Sequence, residues 1–339
     1  MRRSGVTNVA EVRAVRDPQL VGRVVGRRAL RYSAGADPGA DRPAHVRSGS
    51  GLAWAGARLA VVQDDAAFLA LVDPSTWEVE AVALPRGPGG LRQFDDVRGN
   101  KRHKLDLEAI LSLEDGRLVA FGSGSSPARE RVVVVDPRSP GDARVRVVGA
   151  PALYAALRAD PRFSGSELNV EGAVLLPDRL LLLQRGNGAP RGEQAPCDAV
   201  GVLDRAVLEA LVAGHEAGSP RLRAVTRYVL GTARGVRLGF TDAAPLPGGG
   251  FAFLAAAEAS PDAVRDGEVV GTALGVVTDD GARIGALVDE AGAPLLDKVE
   301  GLALDPREPG RAWVVVDADD PHRASELCEL AVSGWAAAH

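Results

Sequence analysis

KVEGLAL (Lys298–Leu304) is the stretch on which the fold turns, because looser copies of it stand at four other places: GSGLAW (Gly49–Trp54), DLEAIL (Asp106–Leu111), NVEGAV (Asn169–Val174) and FTDAAP (Phe240–Pro245). One position of the pattern holds Ser50, Glu108, Glu171, Asp242 and Glu300, spaced by 58, 63, 71 and 58 residues. Each copy leads through a turn (AGA, EDG, PD, PGGG or PREPG) into an apolar run. The runs are RLAVVQDD (Arg58–Asp65), RLVAFGSG (Arg117–Gly124), RLLLLQRGNG (Arg179–Gly188), GFAFLAAAE (Gly250–Glu258) and RAWVVVDADD (Arg311–Asp320). Short turns rich in glycine between apolar runs are hairpin signals. A third strand follows in most copies, and a weaker fourth such as EVEAVAL (Glu78–Leu84).

A four-stranded unit repeated at intervals of about sixty residues predicts the blades of a β-propeller, since one such sheet cannot cover both its faces alone. The expected fold is therefore all-β: a five-bladed propeller of four-stranded blades around a central metal-binding channel, with two short helical insertions. The repeated polar position opens the innermost strand, so all five side chains are expected to point into that channel. Gly51, Ala109, Gly172, Ala243 and Gly301 follow it, and small residues suit strands crowded at an axis.

Residues 1–20 read as a loosely ordered lead-in, and residues 21–334 as a single propeller domain. Within it, Val21–Ser33 is expected to close the ring by pairing with the last strand. Pro85–Lys104 is long for a connection and rich in glycine and arginine, which favours a functional loop. Helical spacing of apolar residues marks Ala150–Pro161 and Leu203–Gly218 as the two insertions.

Composition narrows the function. The formal charge of −5 implies no broad basic surface, so nucleic acid is not an expected partner. Two cysteines, Cys197 and Cys328, sit outside any CxxC or CxxH setting, which argues against structural zinc and a disulfide framework. The N-terminus has no apolar signal-peptide core and no run reaches membrane length, so a cytoplasmic protein without a membrane partner is expected. Lysine occurs only at positions 101, 104 and 298, an arginine bias that suggests a GC-rich bacterial genome.

Ser50, Glu108, Glu171, Asp242 and Glu300 are the candidate metal ligands. Carboxylates facing one point repel unless a cation lies among them, and calcium accepts six to eight oxygens in flexible geometry. Another hard divalent cation fits the same donors. A structural role for the metal alone is the competing reading, as is neutralisation of the ring by Lys104 and Lys298. The loops after the second strands should rim the channel. Among them Arg185 suits an anionic group as a planar fork, and Asp64 a water-orienting role beside a metal. Gln63, Asp65, Gln184, Asn187, Lys104, Arg129, Lys298 and Asp317 complete the expected substrate-binding set, against the alternative that such residues only cap turns.

In this order of ligands, and in the texts SGSGLAWAGARLAVVQDD, RLLLLQRGNG, GFTDAAPLP and KVEGLAL, the chain resembles the calcium-dependent apyrases, which are five-bladed propellers. It also resembles members of an uncharacterised bacterial propeller family. The apyrase resemblance covers roughly residues 45–332 and implies one oxygen ligand per blade in the order Ser, Glu, Glu, Ser, Glu. It places Asp64, Asp65 and Arg185 at substrate-site positions. The chain departs from it at Asp242, at Ala256 and in GSGSSPA after the second blade's second strand. The resemblance implies hydrolysis of a small anionic, phosphate-containing substrate. A calcium-dependent lactonase or esterase is the alternative enzyme, and a binding propeller with structural calcium the non-enzymatic one.

Overall fold

The structure, a computed structural model, describes residues 10–216, 218–259 and 267–335. The chain begins with β1 (Ala10–Arg13) and the long β2 (Val15–Ala29). Next, β3 (Gly49–Ala55), β4 (Arg58–Gln63), β5 (Phe68–Val72) and β6 (Val79–Ala83) form an antiparallel sheet in sequence order. A second such sheet contains β7 (Leu107–Ser112), β8 (Leu118–Gly122), β9 (Arg131–Val135) and β10 (Val145–Gly149). The third contains β11 (Val170–Leu175), β12 (Arg179–Gln184), β13 (Asp198–Asp204) and β14 (Ala224–Val229), with β1 added parallel to its outer edge.

After a small hairpin of β15 (Thr232–Ala233) and β16 (Val236–Arg237), the remaining strands share one eight-stranded sheet. They are β17 (Gly239–Pro245), β18 (Phe251–Ala259), β19 (Glu268–Thr278), β20 (Gly281–Val288), β21 (Lys298–Leu304), β22 (Arg311–Asp317) and β23 (Glu326–Ser333). The order is β17-β18-β19-β20-β2-β23-β22-β21, so β2 is the seam: it runs parallel to β20 and antiparallel to β23.

The strands β3, β7, β11, β17 and β21 each pack against the next, and β21 packs against β3. The architecture is thus all-β and propeller-like, with these strands around the centre. Apolar clusters fill the spaces between successive sheets. Trp313 and Val315 meet Leu52 and Val61 in one, and Phe121 and Leu182 share another with Tyr154. Because each sheet is covered on both faces, strands such as β5 and β8 are buried at every residue. That is why they read as continuous apolar runs rather than alternating ones. Among the described residues, no helix is long and apolar enough to cross a membrane.

The helices α1 (Pro151–Ala159), α2 (Pro161–Ser164) and α3 (Arg205–Ala213) lie between strands. The second expected helix is shorter than its sequence span, since Leu203 and Asp204 belong to β13 and Gly214 ends the helix with φ +85°. The expected lead-in needs correction too. Residues 10–20 lie almost wholly in β1 and β2, which pair with β14 and β20, while residues 1–9 lie outside the described residues.

The loop Pro85–Lys104 is held down by a polar network. Asp41 accepts from the backbone N–H groups of Arg92 and Gln93. The buried Arg47 reaches Gln93, Asp95 and Asp65. Arg98 pairs with Asp41 and Lys101 with Asp96, so much of the loop's positive charge is matched within it.

Gly285 shows how tightly the seam fits: a Cβ there would lie 1.8 Å from the Leu20 carbonyl oxygen. Gly285→Ala is expected to cost about 1–3 kcal/mol of stability by overpacking. Gly149→Ala, where the nearest atom to a Cβ is 3.9 Å away, serves as the control. Urea denaturation of the two variants checks the difference; equal midpoints would refute the tight seam.

Candidate metal and catalytic site

Each central strand carries one irregularity. Pairing of β3 with β4 skips Ser50, β7 with β8 skips Glu108, and β11 with β12 skips Glu171. Pairing of β21 with β22 skips Glu300. A bulge of this kind frees one residue from the ladder and re-aims its side chain. In β17 the skipped residue is Thr241, not Asp242. The five equivalent residues are therefore Ser50, Glu108, Glu171, Thr241 and Glu300. In β17 the bulge position therefore holds a hydroxyl, where the apyrase resemblance implies serine, and the expected ligand Asp242 stands one place further on.

Asp242 instead occupies the next position, equivalent to Gly51, Ala109, Gly172 and Gly301. The backbones close in at this level. A Cβ on Gly301 would lie 2.8 Å from the Leu52 nitrogen, and one on Gly51 3.1 Å from the Glu108 carbonyl oxygen. Four of the five central strands thus carry a small residue at this position, and β17 carries a fully buried carboxylate. Its Oδ2 accepts from the Leu302 N–H at 2.8 Å, and the Ala243 and Leu52 amides also face the group. Burial pushes Asp242 well above the usual carboxylate range, and the charge of Glu171 adds to the effect.

Cations stand among the surrounding acids. Lys104 Nζ bridges Asp64 and Asp106, the latter at 2.6 Å, and Arg129 reaches Asp106 Oδ2 at 2.9 Å. The carboxylate oxygens of Asp64, Asp106 and Glu108 lie within 4.8 Å of one another. Arg185 pairs with Glu258 at 2.5 Å and Glu171 at 3.5 Å. Lys298 lies 2.9 Å from Asp319, 3.6 Å from Glu300 and 3.9 Å from Asp317. Nine carboxylates, namely Asp64, Asp106, Glu108, Glu171, Asp242, Glu258, Glu300, Asp317 and Asp319, thus share four cations.

The imbalance shows in the proton affinities. Burial pushes Glu108 and Glu300 well above the usual range; like charges reinforce this at Glu108, and Glu171 and Glu258 do so at Glu300. Glu171 is pushed up to about 7 and Asp317 to about 8, both mainly by burial. At Asp64 burial acts upward, but the adjacent Lys104 charge outweighs it and the group is lowered. Among the described residues five buried side-chain oxygens have no hydrogen-bond partner: Asp65 Oδ1, Ser166 Oγ, Thr241 Oγ1, Asp242 Oδ1 and Glu300 Oε1, the last with Lys298 Nζ 3.6 Å away. Unpartnered buried polar atoms are costly and call for a ligand. The donors are hydroxyl and carboxylate oxygens, the set that suits calcium or magnesium rather than a softer metal.

Several expected rim residues serve the framework instead. Gln63 is buried: its Oε1 accepts from the Arg47 N–H, and its Nε2 donates to Tyr32 Oη and the Phe68 carbonyl. Gln184 holds Asn169 N–H, Glu167 O and Arg185 O in the same way. Asp65 is taken up by Arg47. Ser50 Oγ donates to the Leu107 carbonyl, tying β3 to β7. Asn187 is exposed and accepts from Asn169 Nδ2 at 3.3 Å. Arg185 and Lys104 are buried within carboxylate pairs, so neither is presented as an open anion-binding fork. Lys298 and Asp317 border a cavity of about 320 Å³ with Asp297, Arg323 and Glu326. The sequence reading did not single out Asp106 and Asn169, which the structure brings to the site. Asp106 was visible only as the residue two places before Glu108, and nothing local marked its role.

A family model described as a family of unknown function (DUF6929) matches residues 45–332, and the chain belongs to that family. No curated protein matches the sequence. Among solved structures, a protein of unknown function from Bacteroides thetaiotaomicron is 13% identical, with a TM-score of 0.45, covering 91% of this chain and 76% of its own. Regucalcin from Agrobacterium tumefaciens, a calcium-binding protein, is 11% identical, with a TM-score of 0.41 and coverage of 92% and 95%. A gluconolactonase from Xanthomonas campestris is 10% identical, with a TM-score of 0.40 and coverage of 91% and 97%.

The raised acids set a pH dependence in the cation-free protein. The folded chain holds protons on Glu171 up to about 7, from an ordinary value of 4.5, and on Asp317 up to about 8, from 3.8. Across that window the unfolded chain binds fewer protons, so these groups' contribution to stability is present at acid pH and is lost as pH rises through it. Thermal midpoints in EDTA are expected to fall between pH 5.5 and 8 in wild type and to fall less in Glu171→Gln; identical profiles would show that Glu171 is not the source.

Proposed function

We propose that this member of a family of unknown function is a five-bladed propeller that holds calcium, or another hard divalent cation, at its centre and hydrolyses an uncharged ester, with lactones as the substrate class. Five blades are supported by the closed circuit of β3, β7, β11, β17 and β21, if the eight-stranded sheet is read as two blades joined through β2. The observation that carries the functional reading is the pair of buried oxygens without a hydrogen-bond partner on adjacent residues of β17, Thr241 Oγ1 and Asp242 Oδ1, in a centre where acids outnumber cations. When bound, the cation would polarise the ester carbonyl as a Lewis acid.

Electrostatics favours an uncharged substrate over a phosphate. Lys104, Arg129 and Arg185 are already engaged by carboxylates, so an incoming phosphate meets excess negative charge. The base is better assigned to Glu171 than to Asp64. Asp64 is lowered beside Lys104 and accepts a proton weakly, whereas burial pushes Glu171 up to about 7 in the cation-free chain. Glu171 Oε1 is oriented by Asn169 Nδ2 at 2.6 Å and by Arg185. As the water oxygen bonds to the acyl carbon, Glu171 takes the water's proton; as the acyl carbon–oxygen bond breaks, that proton passes to the leaving alkoxide. The products are a hydroxy acid or an acid and an alcohol.

Five- and six-membered lactones, p-nitrophenyl acetate and p-nitrophenyl phosphate, each with EDTA or with calcium, provide the test. Calcium-dependent lactone hydrolysis is expected, reduced roughly 100-fold or more in Glu171→Gln, the usual scale for a lost general base. Phosphate turnover without lactone turnover would overturn the substrate class. Calcium binding without turnover of any ester would leave a structural metal and overturn the enzyme reading.

A further inference from the structure

We infer that Ser125, on the loop between β8 and β9, is a nucleophilic serine that takes up an acyl group from an ester, with Ser123 and Asp106 forming the path by which its proton leaves. It is a second reactive centre, independent of the central cation and of Glu171. The directions of the hydrogen bonds carry the inference. Ser123 Oγ donates its one hydrogen to Asp106 Oδ2. In the 2.9 Å contact between the two serine hydroxyls, Ser125 Oγ is therefore the donor and Ser123 Oγ the acceptor. Ser123 Oγ also accepts from the Ser125 N–H at 3.2 Å, so its one hydrogen and both lone pairs are in use. Arg129 Nη1 donates to Ser125 Oγ at 2.7 Å and lies 2.9 Å from Asp106 Oδ2. Ser125 is exposed, whereas Ser123 and Asp106 are buried. A surface hydroxyl thus sends its hydrogen inward along a chain that ends on a carboxylate, while a guanidinium faces its oxygen.

Proton movement along this chain leaves every charge paired. As Ser125 Oγ bonds to the acyl carbon, its proton passes to Ser123 Oγ and the Ser123 proton passes to Asp106 Oδ2. Lys104, which bridges Asp64 and Asp106, keeps Asp64 as its partner. Arg129 exchanges the Asp106 charge for the oxyanion that forms on the acyl group beside Ser125 Oγ. As the ester carbon–oxygen bond breaks, the proton returns from Asp106 through Ser123 to the leaving alkoxide. A water then adds to the acyl-serine, gives up its proton along the same path and releases the acid. The loop is held in place for this role. A Cβ on Gly124 would run into the Tyr154 ring, Tyr154 Oη donates to the Gly122 carbonyl at 2.7 Å, and Arg158 donates to the Gly124 carbonyl at 2.9 Å. The Ser123 carbonyl accepts from the Val170 N–H at 2.9 Å, which fixes the loop against the start of β11. Reactive groups depend on such fixed support for their geometry.

A fluorophosphonate, whose phosphorus bonds to a nucleophilic serine oxygen as fluoride leaves, tests this on the full chain in EDTA, with the adduct located by peptide mass spectrometry. One adduct per folded chain is expected, on Ser125. It should be absent from Ser125→Ala and from the urea-unfolded chain, and retained in Ser126→Ala. Ser123→Ala is expected to slow labelling roughly 100-fold, the scale of a lost proton acceptor. Arg129→Gln is expected to slow it roughly tenfold or more, and it covers the case in which Ser123→Ala does not fold. No adduct, an adduct on another serine, or an unchanged labelling rate in folded Ser123→Ala and Arg129→Gln would overturn the reactive serine. Those results would leave calcium-dependent lactone hydrolysis through Glu171 to stand or fail on its own assay.

Discussion

The interaction on which the structure depends is repulsion among acids held out of water at the meeting point of the central strands. Burial removes the solvent that would screen Glu108, Glu171, Asp242 and Glu300, and every one of them responds by holding its proton more tightly. Such a centre persists only because the rest of the chain stabilises it. Apolar clusters between successive sheets bury Trp313, Phe121, Phe240 and many leucines and valines. Their burial favours the closed arrangement strongly enough to offset the central charges.

The bulges are the device that converts this framework into a site. A regular strand alternates its side chains between its two faces, both of which are packed against neighbouring sheets here. One extra residue per central strand escapes that alternation, and it is a polar residue each time. The glycines next to the bulges allow the backbones to approach within reach of one another's amides. Asp242 then finds the Leu302 N–H of a neighbouring strand.

Charge is distributed unevenly around the ring, and this decides what the centre can accept. Lys104 on one side and Arg185 and Lys298 on the other each bind acids from more than one segment, so they act as internal counter-ions. The residues that in sequence looked ready to grip an anion are thereby spent on the protein's own carboxylates. The same arrangement keeps Asp64 ionised and poor as a base while leaving Glu171 near neutrality.

The strands, their turns and the presence of a repeated polar position were legible in the sequence, because hairpin signals and apolar runs act over a few residues. KVEGLAL and NVEGAV also announced Glu300 and Glu171 as the odd polar residues of buried strands. The position in FTDAAP was not legible: Thr241 and Asp242 both offer oxygen, and only the pairing of β17 with β18 tells which one leaves the ladder. Gln63 and Gln184 likewise read as rim residues until their amides were seen clamping the preceding loops. Nor could local sequence reveal that residues 10–20 edge two distant sheets, or that Lys104 lies against Asp64, forty positions away. Pairing register, burial and the sharing of counter-ions are set by segments far apart in the chain. Sequence alone therefore determined the repeat and the chemistry it carries, while the tertiary structure decided which oxygens face the centre and which charges remain uncompensated there.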